Sequence, residues 1–158
     1  MIKQLKQAWY LLISFAVIFS DQSLKYYIKT NFRVGETRKV VPGVFSFNYL
    51  QNNGAAWNIL AGKMWIFYII TLVASIVVIY YLFNLKYQNI TFDIGLALIF
   101  GGVIGNFMDR LQMHYVVDMF QLDFINFNIF NIADMAITVG LLLVFIYLIF
   151  LEDKNKTK

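Results

Sequence analysis

Two aspartates, Asp118 and Asp134, are the side chains whose type and spacing favour chemistry most strongly in this chain. Asp118 closely follows one apolar segment, and Asp134, sixteen positions later, directly precedes another. The intervening chain can loop out and back, so the two carboxyl groups can meet. Two carboxyl groups in contact cannot both ionise cheaply, so they share one proton. Such a pair can take a proton from water and donate a hydrogen bond to a carbonyl oxygen.

Asp134 also has a purely structural interpretation. Asn131 can begin the last helix as its N-cap, which places Asp134 at the third helical position in a capping-box arrangement. Two further aspartates are assigned structural roles. We expect Asp93 to be a solvated acid in the first turn of a helix, where the helix dipole favours it, and Asp123 to be a loop charge.

The other charged residues in apolar segments are expected to form a supporting network. Asp21 and Lys25 are four positions apart and can pair on one helix face. Asp109 and Arg110 are adjacent and diverge on a helix, so each should pair with a different group. Because ionisable side chains in membrane segments usually face the protein interior, these residues predict contacts between the first and third apolar segments.

The composition excludes several other chemistries. The chain has no cysteine and a single histidine, His114, which excludes disulfides, thiol nucleophiles, cysteine-based zinc sites and a two-histidine metal site from one chain. No serine lies in a G-x-S-x-G context. Ser23 and Lys25 are two positions apart and would not share a helix face. Hydrolytic chemistry would therefore fall to carboxylates.

The same composition indicates a membrane protein. Of 158 residues, 60% are hydrophobic and only 14% charged, against about 25% charged in a typical soluble domain. Four segments approach the roughly 20 apolar residues that a membrane-spanning helix needs. We predict an all-α membrane protein forming one domain over 1–158, whose transmembrane helices cover residues 8–28, 65–83, 92–111 and 133–151.

The first segment also resembles a secretory signal peptide, but no A-x-A-like cleavage site follows Phe19, so we expect a retained helix. An even number of spans puts both ends on one side. With six lysines on that side and five basic residues on the other, the distribution modestly favours cytoplasmic ends. The net charge of +4 forms no basic stripe, so no nucleic-acid partner is expected.

Residues 31–62 form the one sizeable insert outside the membrane segments, and we predict a small extracytoplasmic β-sheet there. Residues 44–50 alternate as a half-buried strand does, between turn signals at Pro42-Gly43 and at 52–54. This strand could be a structural cap or could hold an extended peptide by edge pairing. In the third segment Gly101 and Gly105 are spaced to let another helix approach closely.

Five sequence blocks resemble those of a known family, the lipoprotein (type II) signal peptidases of bacterial inner membranes. The blocks are "DQSLKYYI" (21–28), "QNNGAAWNIL" (51–60), "GNFMDRL" (105–111), "VVDMF" (116–120) and "FNIADMAI" (130–137). They recur in order along nearly the whole chain. Met135 and Ala136 depart from the small or hydroxyl residues expected after the last aspartate, which concerns helix packing more than chemistry.

The resemblance implies an aspartic endopeptidase that cleaves diacylglyceryl-modified prolipoproteins before the lipidated cysteine, without a metal or other cofactor. It makes Asp118 and Asp134 the catalytic pair, near the outer face of a bacterial cytoplasmic membrane and with both termini cytoplasmic. We expect a monomer in contact with membrane lipids. The residues that it implies for substrate binding or support of the site are Asn52, Gly54, Asn106, Asp109, Arg110, Asn131, Ala133, Asp21 and Lys25.

Two interpretations from other classes remain open on the residues alone. A small proton- or ion-coupled carrier could use intramembrane aspartates as a relay, although the chain shows no inverted repeat of the kind that many carriers have. A non-catalytic membrane scaffold could bind lipid-modified proteins.

Overall fold

The computed structural model describes residues 7–54, 60, 62–84 and 89–151. The remainder, including both ends of the chain and residues 55–59 and 61 of the predicted insert, lies outside the described residues. The helices are α1 (Leu11–Asn31), α2 (Met64–Phe83), α3 (Ile90–Met113) and α4 (Ile132–Ile146), which continues as a π-helical turn over Tyr147–Leu151. The strands are β1 (Thr37–Val41), β2 (Phe45–Asn52) and β3 (Val116–Leu122).

Three of the described helices are long and apolar enough to cross a membrane, namely Met64–Phe83, Ile90–Met113 and Ile132–Leu151. Their bounds differ from the predicted ones by two residues or fewer. The predicted first span, 8–28, coincides largely with α1, but α1 does not reach the same apolar level because its second half carries Asp21 and Lys25. Both of these side chains are buried within the protein, at 0% and 1% exposure.

The small sheet is antiparallel with the order β1-β2-β3. In the described residues of the predicted insert, the strands are β1 and β2. The third strand comes from the 112–130 connection, where no strand is predicted from the sequence. β2 and β3 pair with Leu50 opposite Asp118 and Asn52 opposite Val116. The sheet therefore carries Asp118 itself, which corrects the expectation of a separate insert.

A bulge interrupts the predicted alternation of β2. Phe45 and Phe47 are half-buried, and both of their rings contact Phe120, so the two lie on the same face of the sheet. The register then shifts between Phe47 and Leu50, and Tyr49 is only 5% exposed. Ser46, between these two phenylalanines, is also buried, and its hydroxyl donates to the Asp123 carboxylate at 2.7 Å. Asp123 lies just beyond β3, as a loop charge with this partner.

Glycines of α3 allow α1 and α4 to approach closely. A Cβ atom at Gly101 would lie 2.8 Å from the Ser14 carbonyl oxygen of α1. At Gly102 it would clash with the Ala133 carbonyl oxygen of α4, and at Gly105 it would lie 2.8 Å from an Asp21 oxygen. The close approach predicted for the Gly101 and Gly105 pair is thus confirmed, and it brings polar residues of three helices together.

An apolar cluster joins the end of α1 to the sheet. It contains Ile28, Phe32, Tyr49, Val117 and Met119. Val117 and Met119 are both fully buried, so the residue between them is fixed on both sides. This packing, rather than the helices alone, determines where Asp118 lies.

Asp93 differs from its predicted state. It lies in the first turn of α3, as expected, but it is 3% exposed rather than solvated. The Gln7 side-chain amide donates to its carboxylate at 3.2 Å. The cause is packing of the segment that precedes α1, which the local pattern around Asp93 cannot indicate.

Candidate active site

The Asp118 carboxyl group lies where the sheet meets the start of α4, and it is 1% exposed. The Asn52 side-chain amide, at the end of β2, donates to one Asp118 oxygen at 2.9 Å. The Asn131 side-chain amide, at the start of α4, donates to the other at 2.7 Å. Strand pairing and the helix start therefore hold both carboxyl oxygens of Asp118 in place.

Asp134 lies in the first turn of α4. The capping box predicted there is confirmed, because the Asn131 side chain accepts from the Asp134 N–H and the Asp134 carboxylate accepts from the Asn131 N–H. The second Asp134 oxygen accepts a hydrogen bond from the Asn106 side-chain amide of α3 at 2.8 Å. The structural and the chemical interpretations of Asp134 are thus compatible.

Two asparagines connect the two carboxyl groups. Asn131, which donates to Asp118, also donates to the Asn106 side-chain oxygen at 3.1 Å. Asn106 in turn donates to Asp134. The structure therefore brings Asp118 and Asp134 into one hydrogen-bonded assembly, as the reach of the chain allowed.

The environment of Asp118 favours its protonated form. Burial is the largest cause that raises the pKa of Asp118, the negative charge of Asp134 is the second, and together they bring this pKa to about 7. The hydrogen bonds from Asn52 and Asn131, and then the charge of Lys25, act in the opposite direction. Near neutral pH Asp118 can therefore hold a proton while a second carboxyl group lies in the same hydrogen-bonded assembly, which suits acid–base chemistry.

A buried cation contacts the assembly of Asp118, Asp134 and their asparagines through Asn106. The Lys25 ammonium lies 2.8 Å from an Asp21 oxygen, 2.9 Å from an Asp109 oxygen and 3.0 Å from the Asn106 side-chain oxygen. Lys25, Asp21 and Asp109 are each at most 1% exposed. The predicted pairing of Asp21 with Lys25, and the predicted link between the first and third helices, are confirmed.

The two carboxylates of this network also hold the backbone next to the candidate catalytic residues. Asp21 accepts from the N–H of Ala133 at 2.9 Å, and Asp109 accepts from the N–H of Val117 at 3.1 Å. Each of these N–H groups belongs to the residue directly before Asp134 or Asp118. The network therefore positions both chain segments through their backbones.

Gly54 and Arg110 complete the set of predicted residues. The Gly54 N–H donates to the Asn52 side-chain oxygen at 2.9 Å. One terminal nitrogen of Arg110 donates to the Gly54 carbonyl at 3.2 Å. Arg110 therefore fixes the turn after β2, and Asp109 and Arg110 have different partners, as their adjacent positions predicted.

Sequence reasoning missed Gln22, whose side-chain amide donates to Asp109 at 3.0 Å and to the Gly105 carbonyl at 3.1 Å. A polar amide in an apolar segment, directly after Asp21, was a usable signal. It also missed Phe67, which lies against Arg110. No local signal separates Phe67 from the other aromatic residues of α2.

Apolar helices, a buried ion-pair network and two carboxyl groups linked by hydrogen-bonded asparagines beside a small sheet define a membrane-embedded protein with a polar site at one end of its helices. The model of the signal peptidase II family matches residues 13–150. The chain belongs to the signal peptidase II family, and is thus a peptidase by family. The resemblance predicted from the five sequence blocks is confirmed.

Individual relatives agree with this assignment. A lipoprotein signal peptidase of Lactobacillus johnsonii is 64% identical over 150 residues, covering 95% of this chain and 97% of the relative. One of Enterococcus faecalis is 46% identical over 147 residues, covering 93% and 91%. The solved structure of a bacterial membrane enzyme, determined by the in meso method, has a TM-score of 0.87 at 37% identity, covering 96% and 92%. The carrier interpretation gains no support from these relatives.

Proposed function

We propose that this chain is an aspartic endopeptidase that removes the signal peptide from diacylglyceryl-modified bacterial prolipoproteins, cleaving before the lipidated cysteine. The observation that carries the proposal is the joint assembly of Asp118 and Asp134. The names of the relatives, lipoprotein signal peptidases, support the substrate class.

In the proposed mechanism the Asp134 carboxylate takes a proton from water, whose oxygen attacks the scissile carbonyl carbon. The Asp118 carboxyl group donates a hydrogen bond to the carbonyl oxygen and stabilises the negative charge that develops there. The tetrahedral intermediate then collapses, the carbon–nitrogen bond breaks, and the proton held by Asp134 passes to the leaving amine. Asn52 and Asn131 keep Asp118 aligned throughout.

The proposed location is the bacterial cytoplasmic membrane, with four spans and with the site near the extracytoplasmic face. The exposure of α1 supports it as the fourth span, because Phe15 and Phe19 are 66% and 65% exposed while Asp21 and Lys25 are buried. A helix with this distribution can face lipid on one side and its own charges on the other. Four spans place both termini on the same side, which we propose to be the cytoplasmic side.

A lipid-anchored substrate fits this location. Its acyl chains remain in the bilayer, and its scissile bond lies at the depth of the headgroups, where helix α4 begins at Ile132 and the sheet carries Asp118. The peptide must be extended to present its carbonyl group, and the neighbouring strands could brace it by edge pairing. We propose that the chain acts as a monomer, without a cofactor, in contact with membrane lipids.

The decisive experiment offers the purified protein, reconstituted in liposomes, a prolipoprotein peptide with and without the diacylglyceryl group. Cleavage of the lipidated peptide alone, directly before the modified cysteine, supports the proposal. Binding without cleavage would instead favour the scaffold, and ion flux without cleavage would favour the carrier.

The pH profile provides a separate prediction. The rate should fall as the pH rises through about 7, because Asp118 then loses the proton that it donates. Asn52→Ala removes a hydrogen bond that lowers the pKa of Asp118, so this limb should move to higher pH by about one unit. Steady-state cleavage rates between pH 5 and pH 9, buffered at constant ionic strength, measure the shift.

Asn48→Ala is the matched control for Asn52→Ala, since Asn48 lies on the same strand but donates to Gln121. Its pH limb should coincide with that of the wild type. A limb that moves to lower pH in Asn52→Ala would contradict the assignment of the proton to Asp118.

A further inference from the structure

Two residues at the start of α2 contact Arg110, one through the Arg110 side chain and the other through the Arg110 backbone. Phe67 is 8% exposed, and the central guanidinium carbon of Arg110 lies 4.3 Å from the centre of its ring. The next residue, Tyr68, donates its hydroxyl to the Arg110 carbonyl at 3.2 Å. The Tyr68 ring also packs edge-on against Phe107 of α3, with 5.8 Å between ring centres. Helix α2 is therefore fixed against the end of α3 at this point.

From Arg110 a chain of contacts leads to the candidate catalytic carboxyl group. Arg110 donates to the Gly54 carbonyl at 3.2 Å, and the Gly54 N–H donates to the Asn52 side-chain oxygen at 2.9 Å. This second bond orients the Asn52 amide, which donates to Asp118 at 2.9 Å. The orientation of the Phe67 ring is thus coupled to Asp118 through three hydrogen bonds.

The aromatic ring contributes something that an aliphatic side chain cannot. A guanidinium over a ring face is attracted by the ring quadrupole, most strongly where water is excluded. The Nε atom of Arg110 is buried and has no hydrogen-bond partner among the residues that the structure describes. The Phe67 ring face therefore stabilises positive charge on the Arg110 side chain that hydrogen bonds do not stabilise.

We propose that Phe67 is a positioning residue for the cleavage reaction: its ring holds Arg110 over the Gly54 turn, so that Asn52 stays aligned on Asp118. The inference rests on the proposed function and adds to it a role for α2, whose residues the sequence assigns to no part of the site. Phe67 touches neither the water nor the peptide bond in this proposal. It acts through Arg110.

The test compares Phe67→Leu with Phe67→Tyr in the reconstituted cleavage assay. Phe67→Leu keeps an apolar side chain but loses the ring, so kcat should fall by about 5- to 30-fold, with a smaller change in KM. Because the Asn52 hydrogen bond to Asp118 weakens, the upper pH limb should move to higher pH, as in Asn52→Ala. Phe67→Tyr keeps the ring and should retain most of the activity and the wild-type limb.

Phe92→Leu is the matched control, since Phe92 is a buried aromatic residue, 4% exposed, in the separate cluster with Val78 and Leu82. It should lose stability without moving the pH limb. If the wild type cleaves and Phe67→Leu matches Phe92→Leu in both kcat and pH limb, the inference is overturned while the proposed function stands.

A second measurement does not depend on cleavage. A double-mutant cycle of unfolding temperatures in detergent, with Phe67→Leu and Arg110→Gln, should be non-additive because the two side chains are in contact. Additive effects would overturn the contact on which the inference depends. A wild-type chain that leaves the lipidated peptide uncut overturns the proposed function, and the cycle still decides whether Phe67 holds Arg110.

Discussion

Asp118→Asn and Asp134→Asn are each expected to lower the cleavage of a lipidated prolipoprotein peptide by about 100- to 10,000-fold, the range for loss of a positioned acid or base. In Asp134→Asn the group that takes the proton from water in the proposed mechanism is lost. In Asp118→Asn an amide replaces the acid at the scissile carbonyl, and it cannot share a proton with Asp134. Single-turnover cleavage in liposomes measures both losses.

Both variants should still accumulate in membranes, because an asparagine has nearly the shape of an aspartate and keeps part of the hydrogen bonding. At position 134 a carbonyl oxygen can still accept from Asn106. Asp123→Asn is the matched control, since Asp123 bonds to Ser46 outside the assembly. It should cleave at a rate close to that of the wild type. Full activity in Asp118→Asn or in Asp134→Asn would rule out the paired-carboxylate mechanism.

The buried charge network of the site could be predicted from where charged residues fall in the apolar segments. A carboxylate or ammonium in an apolar helix must find a partner inside the protein, so Asp21, Lys25 and Asp109 had to meet. The G-x-x-x-G spacing showed where helices could approach. The capping box at Asn131 and Asp134 is a local pattern, and it is present as predicted.

Strand β3 was not predictable in the same way. Its first four residues, Val116 to Met119, are all buried, so the alternation by which a half-buried strand is recognised is missing. Aspartate is also unfavourable in strands. What stabilises β3 is pairing with β2, where Asp118 lies opposite Leu50, and such distant pairing leaves no local signal. The role of Asn52 depends on this register and was available only through the family resemblance.

Lys25→Met is expected to lower the unfolding temperature in detergent by about 6 to 20 °C. The reason is that Asp21 and Asp109 would lose the cation between them. Removing one partner of a buried ion pair typically costs about 3–5 kcal/mol, and each kcal/mol corresponds to about 2–4 °C for a chain of this length. Thermal unfolding followed by circular dichroism, at a fixed detergent concentration, measures the change.

Lys29→Met is the matched control, because Lys29 lies one turn further along α1, is half-buried and contacts the Met113 sulfur at 3.5 Å. It leaves no buried carboxylate without a cation, so its unfolding temperature should remain close to that of the wild type.

The triple variant Lys25→Met, Asp21→Asn, Asp109→Asn should recover part of the loss, since neutral groups carry no charge to desolvate. It should not recover cleavage, because the backbone N–H groups beside both candidate catalytic residues are held by carboxylates, which bind them more strongly than amides do. Equal unfolding temperatures for Lys25→Met and Lys29→Met would show that the buried cation does not hold the site together.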